Sequence, residues 1–541
     1  MGSSSKPTLY DRARAYYQNP SVVTLTRHEA LVLTNEPPED VDKPYILSVI
    51  AKADAELEEI DALLSKMSAS AEMDSESERR KKTEDYRTSL LKWRTFNQAI
   101  FSPLRRIPPE ILSEIFSHLA PPTKDMGFFV LMEQWDIGVT WFLSLVCRRW
   151  RAVALSMPSL WSLVVISATM PLSLVECQMK RARKLQIYFL EDSKRNFETR
   201  VDAFELLCRY SHLWEDLSIF GTTPDMLHLL ESIRDRVSSL RRLWIHWGPE
   251  IRTETTVDCF DLAPCLVDFS VTNDNRFIPM TFPAHQLTRY QLNGPWSAHQ
   301  HILTQATQLV EAHIDVSFDG EPWPAKNPEA IISLAHLRRV FVSDLEILDY
   351  LKLPVLEGLA SQYASTEEDP WHPSEMLAFV GSFIDRSSCT LKRITIKGCP
   401  DPRTATGLVQ QSSSITAFSV ILTPNCEADV VNDLLTALSN SESSEAPLTA
   451  PRLRSLYFAY SHHDHFIIER LVAMLKSRRQ AKDSELREVI LVLPTGSESV
   501  APDPAANSDL CMLREEGLDV TFIRGTAGTT ARCDWTYWMC P

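Results

Sequence analysis

The segments LRRLWI (240–245), LVDFSV (266–271) and LTRYQL (287–292) share one figure, apolar-x-x-apolar-x-apolar. The figure runs through much of the C-terminal part. It is read at Leu240-Leu243-Ile245, Leu266-Phe269-Val271 and Leu287-Tyr290-Leu292, with an earlier copy, Leu213-Leu217-Ile219, offset by one residue. Later copies are Leu309-Ala312-Ile314, Leu337-Val340-Val342, Leu391-Ile394-Ile396, Ile415-Phe418-Val420, Leu453-Leu456-Phe458 and Leu486-Val489-Leu491. The closing positions alternate, as a strand with one buried face does. Helical patterns precede several copies: PDMLHLLESIRDRVSSL (224–240), EMLAFVGSFIDRSSCT (375–390) and IIERLVAMLKSRR (467–479). Starts lie mostly 20–38 residues apart, so each strand is expected to alternate with a helix or loop in an α/β fold.

Composition narrows the function. The chain has 541 residues, 44% of them hydrophobic, which is ample for large cores. Glycine is scarce at 15, and no G-x-G-x-x-G, G-x-x-x-x-G-K-[ST] or G-x-S-x-G occurs, which argues against nucleotide enzymes and α/β-hydrolases. A formal charge of 55 − 71 = −16 argues against a nucleic-acid binder. The eleven cysteines contain no C-x-x-C pair, which suits a reducing compartment. No run approaches the ~18 apolar residues of a membrane span, and the N-terminus has no apolar signal core. A soluble chain in the cytoplasm, the nucleus or both is expected.

Upstream, residues 1–45 read as a flexible lead. Over residues 46–101, Ile46, Ile50, Ala53, Leu57, Ile60, Leu64 and Met67 keep heptad spacing, and the pattern resumes out of phase at Tyr86, Leu90, Trp93, Asn97 and Ile100. Two amphipathic helices follow from this, folded back as a hairpin or paired as a coiled coil with another chain.

Between these parts stand SPLRRIPPEILSEIFSHL (102–119) and WFLSLVCRRWRAVALSMPSLWSLV (141–164). Pro108-Pro109 suit a helix start, and Ile111, Leu112, Ile115, Phe116 and Leu119 fall on one helical face. Leu143, Val146, Cys147, Trp150 and Ala154 read as a second stripe, with Arg148, Arg149 and Arg151 solvated. In order, Leu104, Ile107-Pro108, Glu110-Ile111-Leu112, Ile115-Phe116, Leu119, Val146-Cys147-Arg148, Trp150 and Trp161 resemble the F-box family, and SPLRRIPPEI is similar to its fungal members. The insert APPTKDMGFFVLMEQWDIGVT (120–140) departs from the short link of many F-boxes.

That resemblance implies a small all-α domain over 102–166 that docks on the Skp-type adaptor of a cullin–RING ubiquitin ligase. Carried over residue by residue, it makes Leu104, Ile107, Pro108, Ile111, Leu112, Ile115, Leu119, Val146, Cys147 and Trp150 the candidate adaptor contacts, shared with the domain's own core. Cys147 lies among large hydrophobes and reads as a buried structural thiol rather than a nucleophile.

The strand-and-helix series over 167–525 resembles leucine-rich repeats, although the usual Asn/Cys of that repeat is mostly missing. It implies a solenoid that receives a target protein; an ordinary α/β domain is the other reading. Loops 440–452 and 494–509 read as insertions. The tail 526–541, ending ARCDWTYWMCP, reads as a cap on the last repeat or a docking patch.

No chemistry of bonds is apparent. His462-His463-Asp464-His465 has metal-ligand residue types, but adjacent side chains diverge, and a solvated loop is expected. No cofactor, metal or catalytic residue is assigned. The chain is expected to be the substrate-recognition subunit of an SCF-type ligase, or a repeat scaffold acting outside one. Residues 1–166 carry 20 basic and 22 acidic side chains (20 − 22 = −2) and residues 167–541 carry 35 and 49 (35 − 49 = −14), so a target with a neutral to basic surface is expected.

Overall fold

The computed structural model describes residues 25–68, 74–119, 138–166, 171–190, 197–220, 224–249, 251, 255–318, 331–363, 373–398, 400, 402–410, 414–422, 428–439, 450–459, 465–481, 484–492 and 508–523. Most of the 120–140 insert, most of the two loops, His462-His463-Asp464 and the tail 526–541 lie outside the described residues. The chain forms two compact units, a helical one up to Trp161 and a second that holds the strands from Ser162 onward.

In the helical unit, helix α1 (Arg27–Leu33) corrects the expectation of a flexible lead across 1–45. Its start is a capping box: Thr26 N donates to Glu29 Oε2 at 2.9 Å, and Glu29 N donates to Thr26 Oγ1 at 3.3 Å. Helices α2 (Lys43–Ser68) and α3 (Asp74–Ala99) close the heptad seam within the chain, as a hairpin. Ala53, Leu57 and Ile60 pack against Leu90, with Leu64, Leu91 and Trp93 around them. Arg87 pairs with Asp61 at 2.5 Å and Arg94 pairs with Asp54, pairings that fix the two helices antiparallel. Three short helices complete the unit: α4 (Pro109–Leu119), α5 (Gly138–Val146) and α6 (Arg148–Leu155).

In the second unit, among the described residues, fourteen strands form one sheet in which neighbours follow chain order and every pair is parallel. The first seven are β1 (Leu163–Ile166), β2 (Leu185–Leu190), β3 (Trp214–Phe220), β4 (Arg242–Trp247), β5 (Asp268–Asn273), β6 (Arg289–Gly294) and β7 (Glu311–Val316). The rest are β8 (Arg339–Val342), β9 (Gly358–Tyr363), β10 (Arg393–Gly398), β11 (Ala417–Ile421), β12 (Ser455–Ala459), β13 (Glu488–Val492) and β14 (Asp519–Ile523). The sheet therefore begins at Leu163, ahead of the 166/167 boundary read from sequence.

The recurring figure now has a physical meaning. Its first residue is a turn anchor: Leu240, Leu266, Leu287, Leu309 and Leu337 are fully buried, and each N–H closes a turn on the carbonyl three residues earlier. Its second and third residues enter the strand and align in register, as in Leu217, Leu243, Phe269, Tyr290, Ala312 and Val340. The one-residue offset at Leu213 is a register shift, with Leu185 opposite Trp214 but Gln186 opposite Asp216. Helices α7 (Leu172–Met179), α8 (Phe197–Arg209), α9 (Pro224–Glu231), α10 (Trp296–Gln305), α11 (Pro373–Ser387), α12 (Pro402–Gln410), α13 (Ala428–Leu438), α14 (His465–Gln480) and α15 (Ser508–Glu515) add to that core. Met226, Phe383, Leu434, Leu475 and Leu510 are among the helical side chains buried in it.

On the opposite face, one column alternates in sign: Asp216, Arg242, Asp268, Arg289, Glu311, Arg339. Arg242 grips Asp216 with two bonds, 2.7 and 2.6 Å long. Glu311 is held from both sides, by Arg289 at 2.9 Å and by Arg339. Opposite charges in register favour this pairing over a slipped one. Glu311→Ala leaves two guanidiniums facing each other, and it should cost about 2–4 kcal/mol in urea unfolding, below the fully buried case because both arginines stay partly open.

The core also holds a titratable pair. Tyr290 hydroxyl meets His299 Nδ1 at 2.9 Å, and His299 Nε2 meets the Asp315 carbonyl at 3.2 Å. Burial pulls the His299 pKa down to about 4. The unfolded chain binds a proton there near pH 6.5 and the native chain does not, so stability present above pH 6.5 is lost as pH falls toward 4. Between pH 7 and 5 the wild type should lose about 2 kcal/mol that His299→Gln does not lose, read as the pH dependence of the urea midpoint.

Candidate functional site

The conspicuous surface of the helical unit is apolar. Helix α4 splits its hydrophobic residues into two stripes rather than the single face expected. Leu112 and Phe116 point inward, at 1% and 0% exposure, whereas Ile111, Ile115 and Leu119 stand in water, Ile111 at 52%. Each stripe follows the i, i+4 spacing of one helix side. Phe116 closes the inner side against Trp150, edge to face with ring centroids 5.1 Å apart. Leu112 is thus a core residue and not a surface that a partner could reach, which corrects its place among the candidate contacts.

The second stretch is two helices, not one continuous stripe. Cys147 has an extended backbone, φ −162° and ψ 171°, and separates α5 from α6. Its Sγ accepts the Trp150 N–H at 3.4 Å, so the thiol serves as an N-cap and is half-buried rather than buried. The break rotates Val146 into solvent and buries Leu143. Phe142 and Leu145, at 60% and 67% exposure, share the outward face with Val146 at i, i+3, i+4 spacing. Sequence reading missed both. The signal was present, because WFLSLV is apolar all round and such a helix must face apolar surroundings on more than one side.

Arginines hold this frame together. Arg149, expected in solvent, donates to the Arg105 carbonyl at 2.5 Å and to the Ile107 carbonyl. Arg105 is itself buried and donates to the Leu31 carbonyl at 2.6 Å, tying the segment before α4 to α1. Burial lowers the Arg105 pKa from its ordinary value. Trp161 Nε1 donates to the Ala154 carbonyl at 2.9 Å, and Trp141 packs edge-on against Trp161 at 5.1 Å. Of the candidates, Leu104, Pro108, Ile111, Ile115, Leu119 and Val146 are exposed, and Ile107, Cys147 and Trp150 are half-buried.

So many large apolar side chains in water on one small helical unit mark a contact surface. The outward groups of this surface are aliphatic and aromatic, and among the described residues no group of three His, Cys, Asp or Glu side chains stands where it could hold a metal ion. Among the described residues no helix is long and apolar enough to cross a membrane. Residues 104–167 match the F-box-like family model, and no curated protein matches the chain. That match covers the inward Leu112–Phe116 frame and the outward Ile111–Ile115–Leu119 stripe alike, so residues 104–167 are an F-box-like domain, which implies binding to a Skp-type adaptor.

Proposed function

We propose that the chain is the substrate-recognition subunit of an SCF-type cullin–RING ubiquitin ligase. The observation that carries this reading is the F-box-like domain with its outward apolar stripes, Ile111, Ile115 and Leu119 on α4 and Phe142, Leu145 and Val146 on α5. Burying six such side chains against an adaptor supplies about 1.5–3 kcal/mol each before association costs. The fourteen-stranded parallel sheet is then the target receptor, a leucine-rich-repeat-like solenoid in the place where such repeats behind an F-box receive the substrate. The protein works by proximity, holding a target near the ligase in the cytoplasm or nucleus, with no bond chemistry or cofactor of its own.

The inner and outer stripes separate stability from binding. Ile111→Asp with Ile115→Asp should leave the thermal midpoint nearly unchanged and abolish co-purification of a Skp-type adaptor. Leu112→Ala should do the reverse, lowering stability by about 2–5 kcal/mol through the cavity it opens. A folded wild-type chain that never retains the adaptor overturns the ligase reading in favour of a scaffold outside any ligase.

The charge split adds a second expectation. Residues 167–541 carry 35 basic and 49 acidic side chains, so target association should slow with added salt. Stopped-flow rates measured across a salt series check this once a target is in hand, and a salt-independent rate contradicts it.

A further inference from the structure

The family match begins at Leu104, yet the backbone at that point is held by elements that lie before it. The last carbonyls of a helix have no partner within it. At the end of α1, Thr34 takes the Ala30 carbonyl with both its N–H, at 2.8 Å, and its hydroxyl, at 2.7 Å. Arg105 serves the next one: its Nη1 donates to the Leu31 carbonyl at 2.6 Å and to the Glu36 carbonyl at 3.3 Å. A cation at a helix C-terminus also meets the favourable end of the macrodipole. Arg105 is only 7% exposed, so its charge relies on these acceptors.

The same residue faces two ways. While its side chain reaches α1, its carbonyl accepts Arg149 of α6 at 2.5 Å. Its chain neighbour is the exposed Leu104, and two residues on stands Ile107, whose carbonyl Arg149 also takes. Helix α1 is in turn fixed by the hairpin. Leu31, Ile46 and Ile100 bury one another, with Val32, Ile50 and Phe101 around them. His28 Nε2 meets Asn97 Oδ1 at 2.5 Å, and Arg27 pairs with Asp42 at 3.2 Å. A continuous set of contacts therefore runs from the hairpin through α1 and Arg105 to Arg149, under the segment that carries Leu104, Ile107 and Pro108.

We propose that Arg105 is a positioning residue for adaptor binding and that α1 is the element it reads, so that the adaptor-binding unit begins at α1 rather than at Leu104. Undocking α1 strips a buried guanidinium of its acceptors, and segment 102–108 and α6 lose their shared anchor. The outward apolar surface must then be ordered on binding, and that ordering is subtracted from affinity. The inference rests on the adaptor-binding reading above.

Full-length variants titrated with a Skp-type adaptor test it. Leu31→Asp dislodges α1, and Arg105→Met removes the guanidinium but keeps an apolar stem; neither alters an outward side chain. Each should weaken adaptor affinity about ten-fold or more. Hydrogen exchange should quicken at the Arg105 and Leu112 amides, which are bonded to the Ser102 and Pro108 carbonyls. Leu57→Ala is the control, because it lies in a seam cluster separate from the one that holds α1. It should lower the thermal midpoint at least as far and leave adaptor affinity unchanged. Folded Leu31→Asp and Arg105→Met chains that bind as tightly as wild type overturn the inference. So does a Leu57→Ala chain that binds as weakly as they do, because lost stability alone then explains the effect. A wild type that never retains the adaptor overturns the ligase reading and this inference with it. Should both variants fail to fold, the wild type decides. Coupling is reciprocal, so bound adaptor should slow exchange of the Thr34 amide that closes α1, and an unchanged rate overturns the inference.

Discussion

The second unit depends on one constraint: each strand's backbone groups find partners only when the next strand arrives parallel and in register. The hydrogen bonds that lead into the strands show this as a chain. Arg241 N donates to the Glu215 carbonyl, Val267 N to Arg241, Thr288 N to Val267, Val310 N to Thr288 and Arg338 N to Val310. Each link holds if the turn before it delivers the strand at the same height. The buried leucine that opens each figure sets that height, which is why it recurs where the strand itself has not begun. Parallel neighbours cannot be joined by a two-residue hairpin, and the return path fills with helix or loop. The 20–38 residue spacing follows from this geometry. A column of opposite charges then penalises slippage, since a shift by one residue would turn the apolar residues outward and break the Asp216–Arg242 and Glu311–Arg339 pairs together.

The F-box-like domain distributes its apolar residues the other way. Where the sheet buries its large hydrophobes, α4 and α5 leave half of theirs in water. That exposure is tolerable because the inward half is firmly fixed. Leu112 and Phe116 meet Trp150, and Arg149 ties α6 to the Arg105 and Ile107 carbonyls. The outward stripe is therefore presented by a frame that does not have to form on binding, which keeps the ordering cost of association low.

Legibility in the sequence followed how local the cause was. Ten strands were readable because Leu-x-x-apolar-x-apolar encodes turn and strand together. Strands β1, β2, β9 and β14 escaped for specific reasons. In β1 and β2 the turn leucine is not at the required distance. In β9 the third position is Ser361, a buried polar residue, and in β14 the turn position is Gly517 with φ +90°. The hairpin seam was legible from heptads, but its partner, own chain or another, rested on long-range contacts such as Asp54–Arg94. At the adaptor surface the residue types were right and their facing was not. Periodicity assigned Ile111 and Leu112 to one face, whereas the approach of Trp150 divides them. Arg149 looked solvated because nothing local shows that distant carbonyls await it.

The charge of the chain takes a more definite form on this fold. In the alternating column, Asp216, Asp268 and Glu311 are matched by Arg242, Arg289 and Arg339, so the acidic excess of residues 167–541 arises elsewhere. Toward the C-terminal strands the alternation stops: the same column continues through Gly358, Arg393, Ala417 and Ser455 and ends on Glu488 and Asp519, two exposed acids side by side. These strands also carry the apolar Ile421, Tyr457, Ala459 and Val492. The sheet thus runs from a self-neutralised, tightly paired N-terminal half to a C-terminal half whose column carries one arginine, Arg393, and two acids that do not alternate with it strand by strand. Register is most strongly enforced in the first half; in the last strands the outward groups that meet are Ser455, which donates to Glu488 at 2.7 Å, and the apolar Ile421, Tyr457, Ala459 and Val492, which pack together without charge.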